Sequence, residues 1–270
     1  MGKKIGVIDS GVGGLTVVNE IIRQLPREEI VYLGDTLRCP YGSRTTKQIK
    51  EFTWDMVDFL LNEDLKILVI ACNTITAFML EDLKSNLDIP VVGVIHPGSR
   101  AAIKSTRNNH IGVIGTEGTI KSKSYEDTLK LINPKIKVES LACPHFVPLI
   151  ERGILTGDSL KKTVNQSLIP MKKKNNIDTL ILGCTHYPLI KDTIQNVMGN
   201  KVRIVSSGEE VARETSVILE FNELLNKEKI HPMHRFYTTG DLESFSKITK
   251  NLFKSTIGNL KSVSIERVTG

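Results

Sequence analysis

Short runs of β-branched and other apolar residues alternate with longer amphipathic segments along most of this chain. Strands that alternate with helices are typical of βαβ units, which place parallel strands in a sheet covered by helices. The alternation therefore predicts an α/β protein built on parallel sheets. The predicted strands cover residues 4–8, 30–34, 67–71, 91–95, 110–114, 136–140, 179–182 and 202–205.

The segments between these runs have the periodicity of amphipathic helices. Leu15, Val18, Ile22 and Leu25 recur at steps of three or four residues, which places them on one face of a helix, and Pro26 ends it. Similar spacing predicts further helices at residues 49–60, 209–225 and 242–253.

Three short motifs occur twice along the chain, in the same order. This repetition predicts two similar α/β domains, and we assign residues 1–97 plus 208–270 to the first and 98–207 to the second. A single large sheet with coincidentally similar strand ends is the alternative. The pairs are Gly6-Val-Ile-Asp9 with Gly112-Val-Ile-Gly115, Cys39-Pro with Cys143-Pro, and the segment around Cys72 with that around Cys184, at offsets of 106, 104 and 112 residues.

The sequence predicts neither a membrane span nor a signal peptide. No apolar run approaches the roughly 18 residues that a helix needs to cross a bilayer. The basic pair Lys3-Lys4 is followed by only four uncharged residues before Asp9, which is too short for the apolar core of a signal peptide. We therefore expect a cytoplasmic protein without a membrane partner.

The charge balance is basic but does not indicate a nucleic-acid-binding surface. Lys and Arg number 36 against 30 Asp and Glu, a net charge of +6, and these charges are spread along the chain. The densest cluster, Lys172-Lys173-Lys174, lies at the predicted end of a helix, where cations interact favourably with the helix dipole. Aromatic residues make up only 5% of the chain. We therefore predict no nucleic-acid partner.

The four cysteines are Cys39, Cys72, Cys143 and Cys184, and none forms a CxxC pair. Their spacings of 33, 71 and 41 residues do not resemble a zinc module, and disulfides are rare in a reducing compartment. We therefore expect no metal site and no disulfide. Because Pro follows Cys39 and Cys143, these two lack the donors of a helix start, and we interpret them as structural.

Cys72 and Cys184 each follow a predicted strand directly and precede a predicted helix. A thiol at a helix N-terminus has a lowered pKa, because the dipole stabilises the thiolate. Asn73-Thr74 and Thr185-His186 supply donors for a carboxylate beside each sulfur. Two such thiols, facing each other across an interface, suit proton transfer in which one removes a proton and the other delivers one.

The first predicted strand leads into a glycine-rich turn, Asp9-Ser-Gly-Val-Gly-Gly14. Its glycines allow close backbone approach, and the following helix start offers free N–H groups for an anion. The spacing fits neither a GxGxxG fingerprint nor a P-loop. An anion site for a carboxylate or phosphate and a plain strand-to-helix turn both remain open.

Five longer blocks occur in order over about the first 210 residues. They are Asp9-Ser-Gly-Val-Gly-Gly-Leu-Thr16, Gly34-Asp-Thr-Leu-Arg-Cys-Pro-Tyr-Gly42, Ala71-Cys-Asn-Thr74, Val92-Gly-Val-Ile-His-Pro-Gly98 and Gly183-Cys-Thr-His-Tyr-Pro188. These blocks resemble the aspartate/glutamate racemase family. The resemblance implies interconversion of L-glutamate and D-glutamate without pyridoxal phosphate or another cofactor, to supply D-glutamate for peptidoglycan. It also implies two similar α/β domains with the active site between them, and a homodimer.

The resemblance also implies roles for individual residues. Cys72 and Cys184 match the two catalytic acid/base thiols, the first acting on D-glutamate and the second on L-glutamate. Asp9 and His186 match the groups that assist these thiols, and Glu151 resembles a carboxylate that partners the histidine. Matches to substrate contacts are Asp9, Ser10, Tyr41, Gly42, Asn73, Thr74, Thr116, Thr119, Thr185 and His186.

Two alternatives remain open at this point. One is a sister racemase or isomerase that acts on another substrate, such as aspartate. The other is a regulator that binds an amino acid or a nucleic acid without catalysis, for which paired thiols would be unnecessary.

Overall fold

The structure is a computed structural model that describes residues 3–174, 176–227, 232–253 and 259–265. Its strands form two sheets, and every strand pairing among these residues is parallel. The strands are β1 (Lys4–Asp9), β2 (Ile30–Gly34), β3 (Leu65–Ile70), β4 (Val91–Gly93), β5 (His110–Gly115), β6 (Lys137–Ala142), β7 (Thr179–Gly183), β8 (Arg203–Val205), β9 (Arg235–Thr238) and β10 (Leu260–Ser262).

Helices connect these strands, and the four predicted helices are all present. The triple-lysine segment lies at the end of α8, as expected. The helices are α1 (Leu15–Gln24), α2 (Thr46–Leu61), α3 (Asn73–Asn86), α4 (Ile95–Ser105), α5 (Glu117–Lys121), α6 (Ser124–Ile132), α7 (Phe146–Glu151), α8 (Asp158–Lys172), α9 (Lys191–Met198), α10 (Gly208–Phe221) and α11 (Leu242–Phe253).

The order of strands confirms the predicted duplication. The first sheet has the order β10-β9-β2-β1-β3-β4, and the second has the order β6-β5-β7-β8. The four strands β2-β1-β3-β4 therefore correspond one by one to β6-β5-β7-β8. Cys72 follows β3 and Cys184 follows β7, so the two thiols occupy equivalent positions at the carboxyl ends of inner strands. In open parallel sheets this edge is where ligands bind.

The strands beside these thiols are buried because they lie inside their sheets. Every residue of β1, β3 and β7 is buried. Strands that are covered by helices on both faces consist almost entirely of apolar residues. For this reason these strands could be predicted from the sequence. The buried strands therefore hold the residues at the carboxyl edge of each sheet in place.

Two strand predictions differ from the structure. The predicted strand at 91–95 is wrong at its end, because β4 stops at Gly93 and α4 begins at Ile95. The strands β9 and β10 were not predicted. Both are short, and β9 joins the first sheet by pairing with β2, which no local pattern in residues 235–238 specifies.

The proposed domain boundaries remain a proposal. The division between residues 97 and 98 falls inside α4, which contacts α10 as well as α6 and β7. This helix therefore contacts elements of both assigned domains. Among the described residues, no helix is long and apolar enough to cross a membrane.

A buried ion pair joins the first sheet to the loops on its amino-terminal side. Lys66, in β3, places Nζ 2.5 Å from Glu28 Oε2, and both side chains are almost fully buried. Lys66 also donates to the carbonyl of Leu224, and Glu28 Oε1 accepts from the backbone N–H of Asn226. The pair thus ties the segment after α10 to the sheet.

We expect Lys66→Met to lower the free energy of unfolding by about 3–5 kcal/mol, because it leaves the Glu28 carboxylate buried without its cation. Urea denaturation measures this change. The double variant Glu28→Gln/Lys66→Met removes the orphaned charge but keeps an acceptor for Asn226, so it should recover much of the loss. Equal destabilisation of both variants would contradict this account.

Candidate active site

A small cavity lies between the carboxyl edges of the two sheets, with a volume of about 270 Å³ including its open mouth. Both predicted catalytic thiols line it, one from each sheet. Of the predicted site residues, Asp9, Thr119 and Glu151 do not line the cavity. The lining consists of Ser10, Pro40, Tyr41, Gly42, Cys72, Asn73, Thr74, Thr116, Val147, Cys184, Thr185 and His186.

The first thiol belongs to Cys72, the N-cap residue of α3. Its Sγ lies 3.5 Å from Ser10 Oγ. Burial, and then the charge of Asp9, raises the pKa of Cys72 to about 12. The expectation of a lowered pKa is therefore wrong for this thiol. Hydrogen bonds from Ser10 and the backbone N–H of Ile75 favour the thiolate, but they are outweighed by the loss of water.

The second thiol belongs to Cys184, whose Sγ lies 3.6 Å from His186 Nδ1. The prediction that a helix opens at Thr185 is wrong: a 3₁₀ helix covers Tyr187–Ile190, and α9 begins only after it. The carbonyl of Thr185 accepts a hydrogen bond from the Thr16 hydroxyl, so it contacts the first half of the chain.

His186 forms a tight pair with Glu151, as the resemblance implied. Their atoms Nε2 and Oε1 lie 2.5 Å apart, and Oε1 also accepts from the N–H of Val12 at 2.9 Å. Burial lowers the pKa of His186, but hydrogen bonds with Cys184, Cys39 and Glu151 raise it well above its ordinary value. Burial raises the pKa of Glu151, but hydrogen bonding and the charge of His186 bring it below the usual range. The pair is thus an imidazolium and a carboxylate.

Asp9 lies at the end of β1, fully buried. Its Oδ2 accepts from the N–H of Gly11 at 3.0 Å, and its Oδ1 accepts from the Thr185 hydroxyl at 3.1 Å. Burial raises the pKa of Asp9 to about 6, against the opposing charge of His186. Asp9 therefore carries a costly buried charge at neutral pH.

The glycine-rich turn binds carboxylates of the protein itself. The N–H of Gly11 donates to Asp9 and the N–H of Val12 donates to Glu151. A side chain at Gly13 would place Cβ 2.5 Å from His186 Nδ1. The glycine is required here because the turn packs directly against the histidine.

Asn73 and Thr74 begin α3 beside Cys72 and present polar groups to the cavity. Asn73 Oδ1 accepts from the Tyr125 hydroxyl at 2.7 Å, while its Nδ2 is buried and has no hydrogen-bond partner among the described residues. A buried donor without a partner is costly. The amide is therefore held ready to donate to a ligand. The hydroxyls of Thr74, Thr116 and Thr119 form a cluster in which their oxygens lie 2.9–3.2 Å from one another.

Tyr41 and Gly42, in the segment after β2, also line the cavity. The Tyr41 hydroxyl donates to Asp35, so it is not a free donor for a ligand. A side chain at Gly42 would place Cβ 2.3 Å from Thr116 Cβ, so the two halves touch at this glycine. Tyr41 and Gly42 therefore contribute shape to the cavity.

Sequence reasoning missed two residues beside the site. Tyr125 orients the Asn73 amide from across the two halves, and nothing in its local sequence marks this role. Cys39 was interpreted as structural, yet its Sγ lies 3.7 Å from Glu151 Oε1. The sequence places Cys39 after β2, at the same carboxyl edge as Cys72, and this position could have indicated that it lies near the site.

We expect Asp9→Asn to be more stable than the parent at neutral pH, by at most about 3 kcal/mol. The pKa of Asp9 is about 6 in the folded chain and ordinarily 3.8, so the folded state binds this proton more tightly. The charged, buried form therefore opposes folding above pH 6, and this cost disappears as the pH falls towards 4. Urea unfolding at pH 7.5 and pH 4 measures both limits.

Asp178→Asn is a control of opposite sign. Burial raises the pKa of Asp178, but hydrogen bonds from Thr106, Arg107 and Asn108 bring it below its ordinary value. This substitution should therefore destabilise the chain more at pH 7.5 than at pH 4. A less stable Asp9→Asn variant at pH 7.5 would show that the carboxylate is not the costly form.

Glu151→Gln should shift the titration of His186. The amide keeps an oxygen that can accept from Val12 but loses the negative charge, so the pKa of His186 should fall, while Cys184 and Cys39 still hydrogen-bond to the ring. NMR shifts of the histidine rings against pH measure it. His234, whose pKa burial lowers, is an internal control and should not move. An unchanged His186 titration would contradict the pairing.

Comparisons with known proteins identify the family of this chain. A family model described as Asp/Glu/Hydantoin racemase matches residues 5–215. A glutamate racemase from Oceanobacillus iheyensis is 59% identical over 256 residues, which are 95% of this chain and 93% of that protein. The crystal structure of a glutamate racemase isoform from Bacillus anthracis is 48% identical, with a TM-score of 0.93 and 97% of each chain covered.

A second solved structure, the glutamate racemase of Francisella tularensis in complex with D-glutamate, is 35% identical, with a TM-score of 0.89 and 98% of each chain covered. These likenesses extend over nearly the whole chain and confirm both the predicted α/β fold and the predicted resemblance. The chain belongs to the Asp/Glu/Hydantoin racemase family and is an isomerase.

Proposed function

We propose that this enzyme interconverts L-glutamate and D-glutamate by two-base proton transfer between Cys72, Cys184 and the substrate α-carbon. The observation that carries the proposal is that two thiols, one from the end of β3 and one following β7, line the same small cavity. The names of the similar proteins support glutamate as the substrate.

The reaction from L-glutamate begins at Cys184. Its thiolate, beside the protonated His186, removes the α-proton and becomes a thiol. Cys72, whose pKa of about 12 keeps it protonated, donates its proton to the opposite face of the α-carbon. The forward reaction leaves Cys72 as the thiolate and Cys184 as the thiol, and the reaction from D-glutamate starts from that state with the two roles exchanged. Asp9, a buried carboxylate whose charge acts on Cys72, assists the first thiol, and the His186–Glu151 pair assists the second.

Proton transfer alone does not explain catalysis, because an α-proton is far less acidic than a thiol. General acid/base catalysis contributes typically about 10²–10⁴-fold. The site must therefore stabilise the carbanion through hydrogen bonds to the α-carboxylate in a desolvated cavity. The unpartnered Nδ2 of Asn73 is the first donor for that carboxylate, and the hydroxyl of Thr74 is the next. These residues orient the substrate without a cofactor.

The wider role follows from the resemblance. We propose that the product D-glutamate supplies peptidoglycan synthesis, that the protein acts in the cytoplasm, and that it is a homodimer. Light scattering of the purified chain tests the homodimer.

Aspartate is the competing substrate, and polarimetry with L-glutamate, L-aspartate and L-glutamine in turn distinguishes the two activities.

The two-base geometry predicts a specific isotope pattern. In heavy water, the D-glutamate first formed from L-glutamate should carry deuterium at the α-carbon, while unreacted L-glutamate gains little. The abstracting thiol holds the original proton, whereas the donating thiol has exchanged with solvent. NMR or mass spectrometry of the early mixture measures both enantiomers. Equal early deuteration of substrate and product would favour one-base chemistry.

Cys72→Ser and Cys184→Ser should each abolish racemisation in both directions, because an unactivated hydroxyl has a far higher pKa than a thiol. Cys143→Ser is the matched control, since this buried cysteine lies outside the cavity lining. It should keep most of the activity. Appreciable racemisation by either cavity variant would overturn the assignment of two essential thiols.

A further inference from the structure

We propose that Cys39, Glu151 and His186 form a binding site for a zinc ion that inhibits the enzyme. The Sγ, carboxylate oxygen and imidazole nitrogen of these residues all lie within 4.8 Å of one another, which makes them a group that could hold a metal ion. They come from three separate parts of the chain: the loop after β2, the end of α7, and the segment after Cys184.

The chemistry of the three donors fits zinc. Zinc binds thiolate, imidazole and carboxylate ligands at about 2.3, 2.0 and 2.0 Å, in tetrahedral geometry. These bond lengths separate the ligand atoms by about 3.3–3.6 Å. The distance from Cys39 Sγ to Glu151 Oε1 is 3.7 Å, close to this value. The distance from His186 Nε2 to the same oxygen is 2.5 Å, because a proton now joins them.

Binding therefore replaces protons with the ion. The Cys39 thiol and the His186 imidazolium each release a proton, and the histidine and carboxylate separate by about 1 Å. Because both ligands must be deprotonated, affinity will fall as the pH is lowered. Three protein ligands leave the fourth position to water.

Two of the three ligand residues are partly exposed. Cys39 and Glu151 are half-buried, and only His186 is buried. The backbone of Gly11 lies against the group: a Cβ there would come 2.2 Å from Glu151 Oε1 and 3.0 Å from Cys39 Sγ. The absence of a side chain at this position gives the ligands their space.

Inhibition rests on the proposed function, because the ion would occupy Nε2 of the histidine whose Nδ1 faces Cys184. The imidazole would then lose its proton and its pairing with Glu151. The second thiol would be left without its protonated neighbour. Nothing in the spacing of the four cysteines indicated this site, since only one cysteine takes part and the other ligands are distant in sequence.

Cobalt(II) is the probe that tests binding without relying on turnover. We expect the metal-free full-length protein to bind one equivalent, with the visible bands of tetrahedral cobalt and a near-ultraviolet thiolate-to-cobalt charge-transfer band, and zinc to displace it. Cys39→Ala should lose the charge-transfer band and weaken binding by at least about 100-fold. Cys143→Ala, the matched control, should bind within about 3-fold of the parent.

Three results would overturn the proposal. They are a charge-transfer band that persists in Cys39→Ala, a band that disappears in Cys72→Ala or Cys184→Ala, and no cobalt binding at millimolar concentration. The second result would place the ion between the cavity thiols.

Activity provides a separate measurement. Zinc should inhibit the parent enzyme, and a chelator should restore its activity. In Cys39→Ala, the ratio of the rates with and without zinc should be closer to one than in the parent. Inhibition of this variant equal to that of the parent would contradict a site at Cys39. Failure to racemise glutamate in the metal-free state would instead refute the proposed function, while the cobalt spectra would still decide whether the ion binds.

Discussion

Two carboxylates, the buried Asp9 and the half-buried Glu151, connect the two halves of the cavity. Asp9, at the end of β1, accepts a hydrogen bond from Thr185 of the second half. Glu151, at the end of α7, accepts from the N–H of Val12 in the first half and also pairs with His186. The arrangement is reciprocal, and it places one charged assistant beside each thiol. The position of the two sulfurs relative to one another depends on these contacts.

Burial and hydrogen bonding together determine the protonation states on which the chemistry depends. Burial keeps Cys72 protonated although the thiol caps a helix, and it raises the pKa of Asp9 towards neutrality. The loss of water is a larger effect than the dipole of α3 at this depth. Before a substrate enters, burial therefore favours the protonated form of Cys72, and hydrogen bonds favour the cationic form of His186.

The last strands of the chain support the loop that carries the cavity wall. The strand β9 pairs with β2, and the hydroxyl of Thr239, just after β9, donates to Asp35 Oδ1 at 2.7 Å. Asp35 in turn accepts from the Tyr41 hydroxyl and from Arg38. The carboxy-terminal segment thus reaches the site through a chain of hydrogen bonds, which gives a physical role to residues without any motif.

The sequence by itself was enough to predict the eight strands of the repeated units and the duplication, because buried parallel strands have a local signature. It also predicted that Cys72 and Cys184 occupy equivalent positions after strand ends. It did not reveal the short strands β9 and β10, the protonation of Cys72, or the contacts of Tyr125 and Cys39. Those depend on which residues distant in the chain meet at the carboxyl edge and on how much water they exclude. Such long-range proximity and burial arise only when the two halves pack together.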